Sequence, residues 1–414
     1  MRNPVAFVLD QVAPPRLGKD FRRLLAATIV NNAGDGIVLS AGPLLVASQT
    51  HDPFLVSLAL TFDYLPTLVF GPIGGVAADR LNRRLMVVLA NLARALVLGL
   101  LVFTIATGTV SIVLILAAIL ILGTAETFAD AATSTLLPSI VAKEDLGVGN
   151  ARMQGAFILL NQLVAPPIGA FLFALGMVLP FATNAAAFVL GALLIWRISR
   201  SVGDVAAVRE GERPAFVADL VDGFRWLAHH AAMRTLAITV FTFNVTYGAA
   251  WGVLVLYAGQ RLGMDAVGFG LLTTATAVGG VIGVFSYGAL ERRFRLGSIF
   301  RVGLLIETFT WVILALTTSP PVALAVLVVF GTHAFIWGTI ATTIRQRAVP
   351  NELLGRVGGV MRFASFAGLV IGTPIGGVIA GAYGITAPFW FAFVGSAILI
   401  TVLWRQLAHV AHDS

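Results

Sequence analysis

Six ionisable residues stand inside long apolar runs of this chain: Asp35, Asp63, Arg94, Glu126, Asp130 and Glu307. A charge near the middle of a membrane-spanning helix costs about 2.5 to 3.5 kcal/mol on insertion scales, so each needs a partner, a wet cavity or a proton. Helical rise sets Asp35 about 18 Å and Asp63 about 14 Å in from an end of its run, near the middle of a bilayer. A partly desolvated carboxylate at that depth can take up and return a proton, and Asp35 is the first candidate for that chemistry, with Asp63 the second. Asp35 could instead be a structural carboxylate held by Asn31 or Asn32, and Asp63 could help to hold a cationic ligand. Arg94 and Glu126 fall at comparable heights and read most economically as an ion pair, with Asp130 one turn along on the face of Glu126. Glu307, about 9 Å into its run, either faces a gate or pairs with an arginine, and completes an intramembrane charge network with Arg94, Glu126 and Asp130. Asn31, Asn32, Asn244, Tyr247 and Trp251, with Phe243 beside them, offer polar and aromatic surface for the wall of a ligand cavity.

The elements that must carry these residues are dictated by composition. Of 414 residues, 58% are hydrophobic and 11% charged, and the mean hydropathy is +0.92, too little polar surface to coat a water-facing globule. A soluble enzyme is excluded, and no enzymatic activity is expected. The absence of cysteine excludes disulfides, Cys-ligated zinc and iron–sulfur clusters, and the six histidines form no H-x-x-x-H pair, so neither metal nor cofactor is expected. No G-x-x-x-x-G-K-[ST] loop occurs, so ATP is not the direct energy source.

Runs long enough to cross a bilayer occupy 22–48, 54–78, 85–107, 110–136, 154–176, 178–198, 235–259, 267–290, 299–317, 321–344, 359–382 and 386–404, twelve in all. The first contains Asn31, Asn32 and Asp35 and lacks a small-residue cleavage site, so it is expected to stay in the mature protein. Of the 27 Lys and Arg residues, 25 fall on one side of these spans, Arg261 falls alone on the other, and Arg94 lies within a span. That asymmetry predicts cytoplasmic termini at both ends. The net charge of +7 then reads as topology and contact with anionic lipid, and no nucleic-acid partner is expected.

The chain also repeats itself. Gly123-Thr124 matches Gly331-Thr332 and Glu144–Gly147 matches Glu352–Gly355 at an offset of 208, while Pro167-Ile168-Gly169 matches Pro374-Ile375-Gly376 at 207. Asn32 and Gly36 match Asn244 and Gly248, and Asp79-Arg80 matches Glu291-Arg292, at 212. A nearly constant offset along the whole chain predicts a parallel six-plus-six repeat. The expected domains are a bundle at 1–198, a cytoplasmic linker at 199–233 and a second bundle at 234–414. Asp204, Arg209, Glu210, Glu212, Arg213 and Pro214 make the linker polar, and Phe216, Leu220, Phe224 and Leu227, with Trp226, predict an amphipathic helix lying on the membrane surface.

After the second run comes Gly75-Val76-Ala77-Ala78-Asp79-Arg80-Leu81-Asn82-Arg83-Arg84. It resembles the G-x-x-x-D-R-x-G-R-R loop motif of the major facilitator superfamily, with Asn82 at the second glycine. In that motif Gly75 would let two helices approach, Asn82 would adopt positive φ, and Asp79 with Arg80, Arg83 and Arg84 would form a charge cluster that gates the cytoplasmic side. Ala165-Pro166-Pro167-Ile168-Gly169-Ala170 is similar to the G-P-x-x-G-G motif of the superfamily's antiporters, with both outer glycines replaced by alanine; Gly372-Thr373-Pro374-Ile375-Gly376-Gly377 is its relative in the second half. Asn32–Gly36, Ala125-Glu126-Thr127 with Asp130, Leu137-Pro138 before Glu144-Asp145-Leu146, and Gly355-Arg356-Val357 look like the macrolide-efflux and enterobactin-exporter branch of bacterial drug transporters.

The resemblance implies an all-α membrane protein with twelve transmembrane helices in two pseudo-symmetric six-helix bundles, working by alternating access around a central cavity. It implies export of an amphipathic small molecule, a drug, macrolide or siderophore, driven by proton influx across the bacterial cytoplasmic membrane, by a monomer in contact with lipid. A proton-coupled symporter importing a small solute, or a non-transporting receptor or lipid-handling protein, are the alternatives.

Overall fold

The computed structural model describes residues 14–199 and 216–404; the linker residues Asp204, Arg209, Glu210, Glu212, Arg213 and Pro214 lie outside the described residues. Among the described residues all regular structure is helical. After a short turn at Pro15–Leu17 come α1 (Gly18–Gln49), α2 (Pro53–Arg80), α3 (Arg83–Ala106) and α4 (Ile112–Ile140). Next are α5 (Leu146–Ala156), a π-helical stretch (Phe157–Val164), α6 (Ala165–Leu175) and α7 (Val178–Trp196). The second half holds α8 (Phe216–His229), α9 (Ala231–Trp251), α10 (Leu254–Gln260), α11 (Ala266–Arg293), α12 (Leu296–Leu316), α13 (Pro320–Ala348), α14 (Leu354–Tyr383) and α15 (Ala387–Leu403).

Among the described residues, ten helical segments are long and apolar enough to cross a membrane, eleven if α9 and α10, bent by 40°, make one span. The last of the twelve runs read from the sequence is the shorter apolar helix α15. Local signals set the ends. Ser111 and Asp265 cap α4 and α11 by accepting from the main-chain N–H of Leu114 and Gly268, and Gly384, at φ 93°, ends α14 where a residue with a Cβ would be strained.

The chain divides into two compact units, Met1–Leu45 with Val69–Pro214, and Val46–Leu68 with Ala215–Ser414. The first is cored by Phe21, Leu24 and Leu25 of α1 against Val87 and Val88 of α3, Leu136 and Leu137 of α4 and Ile195 of α7. The second is cored by Leu236 and Val240 of α9, Phe300 and Leu304 of α12, Trp337 and Ile340 of α13 and Val360 and Met361 of α14. Residues 46–68, the end of α1 and first half of α2 in the chain, belong to this second unit: Thr61 Oγ1 lies 2.7 Å from Thr373 Oγ1, and Tyr64 packs 6.2 Å from Phe366.

The repeat is visible in backbone contacts. A Cβ on Gly169 would strike the Ile37 main chain, and one on Gly376 would strike Ala249, which is Ile37 advanced by 212. Gly36 meets Asn161 and Ala165, and Gly248 meets Leu369 and Thr373, each the other advanced by 208. The slip in offset from 208 to 207 means that the first half has one more residue than the second between Gly147 and Pro167. With Ala165 and Thr373 still matched at 208, the extra residue falls just after the π-helical stretch Phe157–Val164, whose i to i+5 bonding is how a helix absorbs an extra residue without breaking.

Helix α8 packs against the second unit. Leu220, Trp226 and Leu227 pack on the second unit's core, Asp222 pairs with Arg356 at 3.4 Å, and a Cβ on Gly223 would come within 2.7 Å of the Arg356 carbonyl. Leu227 is buried, while Val221 and Phe224 stay exposed, Phe224 to 63%.

Candidate functional site

The first unit encloses a cavity of about 580 Å³. Helical spacing builds its wall. Thr28, Asn31, Asn32 and Asp35 line it from α1, and Glu126, Ala129, Asp130 and Thr133 from α4, each set at i, i+3, i+4, i+7 on one helix face. Asn150, Gln154, Phe157 and Asn161 continue the wall along α5 into the π-helical stretch, and Arg94 enters from α3.

Arg94 is 4% exposed. Its Nη1 lies 3.7 Å from Asp35 Oδ2, its Nη2 donates to Asn91 Oδ1 at 2.6 Å, and its guanidinium sits 4.0 Å from the centre of the Phe188 ring. Asn31 Nδ2 donates to the same Asn91 oxygen at 3.4 Å. Glycines make the room: a Cβ at Gly34 would run into Asn184 Oδ1, and one at Gly191 into Asn31 Oδ1. The ion pair expected between Arg94 and Glu126 is thus replaced by one between Arg94 and Asp35. The reason is that α3 turns its buried face toward α1 and α7, whereas height along a helix carries no information about rotation. Glu126 and Asp130 remain on the cavity wall, which therefore carries three carboxylates against one guanidinium, a formal excess of two negative charges.

The side chains of the loop motif go to several different partners. Asn82 has φ −61°, and no residue other than glycine among those described has positive φ; its side chain caps α3 by accepting from Leu85 N–H at 2.9 Å. Arg83 donates to the carbonyls of Ala78 and Thr135 and to Ser139 Oγ, and Arg84 to the carbonyls of Ile195 and Trp196. Both arginines reach carbonyls near helix C-termini, where a cation is favoured by the helix dipole. Asp79 and Arg80 are exposed, and among the described residues Asp79 has no ion pair. A Cβ on Gly75 would meet nothing, whereas one on Gly74 would touch Ala131 and the Thr127 carbonyl, so the close approach is one residue earlier.

The remaining candidates lie in the second unit. Asp63 is exposed on the 46–68 stretch and is not part of the cavity wall around Asp35. Asn244 donates to the Val240 carbonyl of its own helix, and Tyr247 stacks with Phe243, Trp251 and Phe330 at 5.0 to 5.9 Å between ring centres. Glu307 is 1% exposed and faces neither a gate nor an arginine: Trp311 Nε1 donates to its Oε1 at 3.4 Å, and His333 Nε2 lies 4.0 Å from its Oε2.

Sequence reasoning missed Asn91, Asn184, Asn161 and His333. Asn91 could have been found, because it stands three residues before Arg94 on the same face, and Asn150, Gln154, Phe157 and Asn161 share a helical stripe. Asn184 and His333 are lone polar residues whose partners come from other helices.

The sequence profile of the Major Facilitator Superfamily matches residues 24–373. A multidrug efflux pump named Tap from Mycolicibacterium fortuitum is 28% identical over 380 residues, 88% of this chain and 90% of that protein. An enterobactin exporter, EntS, from Salmonella choleraesuis is 26% identical over 363 residues, covering 86% of this chain and 84% of that protein. Among solved structures, the nucleoside transporter NupG superposes with a TM-score of 0.72 at 14% identity, over 95% of this chain and 99% of that one. A bacterial homologue of the iron transporter ferroportin in an inward-facing state also scores 0.72, at 16% identity, over 94% of this chain and 98% of that one.

Proposed function

The chain belongs to the Major Facilitator Superfamily, and from that premise we propose that it exports amphipathic small molecules, cationic ones above all, by alternating access coupled to proton influx. The observation that carries this reading is the charge of the first unit's cavity: Asp35, Glu126 and Asp130 against Arg94 alone. With Asp35 ionised and paired to Arg94, Glu126 and Asp130 are left to attract a cation. A proton on Asp35 removes one negative charge and frees the Arg94 guanidinium to repel that cation. Two unit charges about 4 Å apart interact by about 4 kcal/mol at an effective dielectric constant of about 20, enough to make proton and cation compete for the cavity. Competition of that kind is what exchange of one for the other requires.

The volume, about 580 Å³, suits a ligand of drug size, and the asparagines of α1 with Gln154 and Asn161 supply donors and acceptors to orient it. Efflux of drugs or a siderophore by the relatives named above supports outward transport. The excess of Lys and Arg on one side of the spans supports a monomer's helices lying in the bacterial cytoplasmic membrane with both termini inside and lipid anions at the basic loops.

Proteoliposomes test the reading. With an imposed pH gradient, the wild type should drive a fluorescent lipophilic cation such as ethidium against its gradient, and Asp35→Asn should abolish the drive while leaving ethidium binding within a few-fold. Full proton-driven transport by Asp35→Asn would refute the assignment of Asp35 as the proton carrier.

A further inference from the structure

The second unit contains a buried acid–base pair that the cavity of the first does not use. Glu307 on α12 and His333 on α13 have side chains 1% exposed, with Nε2 and Oε2 4.0 Å apart, about an ångström beyond hydrogen-bond length. Four polar atoms in this cluster have no hydrogen-bond partner among the described residues: Glu307 Oε2, both ring nitrogens of His333, and Nε1 of the neighbouring Trp337. The surroundings are aromatic. Trp311 and Phe330 lie 5.3 Å apart, Phe330 meets the His333 ring edge at 6.0 Å, and Trp337 stacks between Phe243 and Phe300. The seat for the imidazole depends on Gly303, where a Cβ would stand 2.7 Å from His333 Nδ1.

A pair kept for packing alone would be expected to have its lone pairs and N–H groups satisfied, since unpaired buried polar groups are costly. Here a carboxylate oxygen and an imidazole nitrogen face each other at 4.0 Å. Without an added proton the pair carries one negative charge in apolar surroundings. One proton makes it neutral overall, whether held as Glu307 Oε2–H against Nε2 or as Nε2–H against the carboxylate, and draws the two atoms into hydrogen-bond contact. From α9 the titratable side chain in the neighbourhood is the Tyr247 phenol, whose ring packs 6.4 Å from Trp311; α15 carries none over Ala387–Leu403. Arg301 on α12 is turned to Trp404, and on the α11 and α13 side Glu291 pairs with Arg347, three to four turns from His333.

We propose that Glu307 and His333 form a second proton-binding site, internal to the second unit and separate from Asp35. It holds one exchangeable proton shared between Oε2 and Nε2, exchanged with water when the unit opens. The site does not depend on how the first unit's cavity is used, and its test does not require transport.

The experiment counts protons on the purified full-length protein in nanodiscs by infrared pH-difference spectroscopy between about pH 5 and 9. The wild type should show a protonated-carboxyl band that Glu307→Gln removes, that His333→Gln moves to a different titration midpoint by at least one pH unit, and that Asp35→Asn leaves in place. The double variant Glu307→Met with His333→Leu, apolar and similar in volume, keeps the test open if either single variant fails to fold, because replacing both members of a buried pair is tolerated better than removing one. It should bind one proton fewer than the wild type. An unchanged band and proton count in Glu307→Gln or in the double variant, or a band lost only in Asp35→Asn, would overturn the proposal.

Discussion

The two halves share a backbone plan and differ in what they bury. Gly169 against Ile37 and Gly376 against Ala249 are the same contact, and so are Gly36 against Asn161 and Gly248 against Leu369. Side chains at matched positions diverge. Asp35 in the first half corresponds to Tyr247 in the second, so the position that lines a charged cavity in one unit carries an aromatic ring stacked among Phe243, Trp251 and Phe330 in the other. His333, in turn, stands where the first half has Ala125. Duplication has kept the close helix contacts, which tolerate no added atom, and released the side chains that choose chemistry. The pair Asp35–Arg94 is open to a cavity, whereas Glu307–His333 is sealed.

The largest effects should come from the shared contacts. Gly169→Val and Gly376→Val each push side-chain atoms into a main chain that cannot move aside, and each should cost more than about 3 kcal/mol, read as loss of folded protein in detergent melting. Similar losses in both would mark the two contacts as equivalent; a tolerated Gly376→Val beside a ruinous Gly169→Val would break the equivalence.

Next come the charges. Arg94→Ala leaves Asp35 without its cation and the Asn91 oxygen with only the longer bond from Asn31, and should destabilise by about 3 kcal/mol, the low end for a broken buried pair because Asp35 is a quarter exposed. Adding Asp35→Asn should recover about 1 kcal/mol or more, a coupling a double-mutant cycle measures directly. Adding Glu126→Gln instead should recover less. The reverse ranking would restore the Arg94–Glu126 pairing that the sequence suggests.

These residues show where sequence reasoning ends. Twelve apolar runs, the six-plus-six repeat and the depth of each buried charge follow from counting residues at 1.5 Å each. Which charge faces which does not, because rotation about a helix axis is set by neighbours that the local sequence does not name. Arg94 turned to Asp35 through packing on Phe188 and Asn91, and His333 gained meaning only when α13 brought it beside Glu307. Asn82 differs for a related reason: its place at the motif's glycine suggests positive φ, but an asparagine directly before a helix has a cap to make.

The one-residue excess of the first half makes a sharper test. Deleting Leu159, which is 52% exposed within the π-helical stretch, gives the first half the residue count of the second. The helix should close to regular α geometry and the protein should still fold, since α14 packs with the shorter count. The wall before the deletion, Asn150 and Gln154, would then rotate by about 100° relative to α6, and ethidium transport should fall at least tenfold. Retained transport would mean that the extra residue does not aim the cavity wall.

The smallest effect expected separates two roles for Asn82. As a cap it accepts from Leu85 N–H, so Asn82→Ala should cost about 1 kcal/mol and Asn82→Gly a few tenths. Had position 82 needed positive φ, glycine would instead have been the better residue by up to about 1 kcal/mol. The second half supplies the converse. There α12 starts after Arg295, which has extended backbone angles and makes no side-chain cap bond. Arg295→Asn should therefore gain about 0.5 kcal/mol in chemical-denaturation or thermal-shift comparisons. A gain at 295 together with a loss in Asn82→Ala ties the difference between the two loops to one hydrogen bond. If Asn82→Gly proves the more stable protein, the cap is not what the asparagine is there to make.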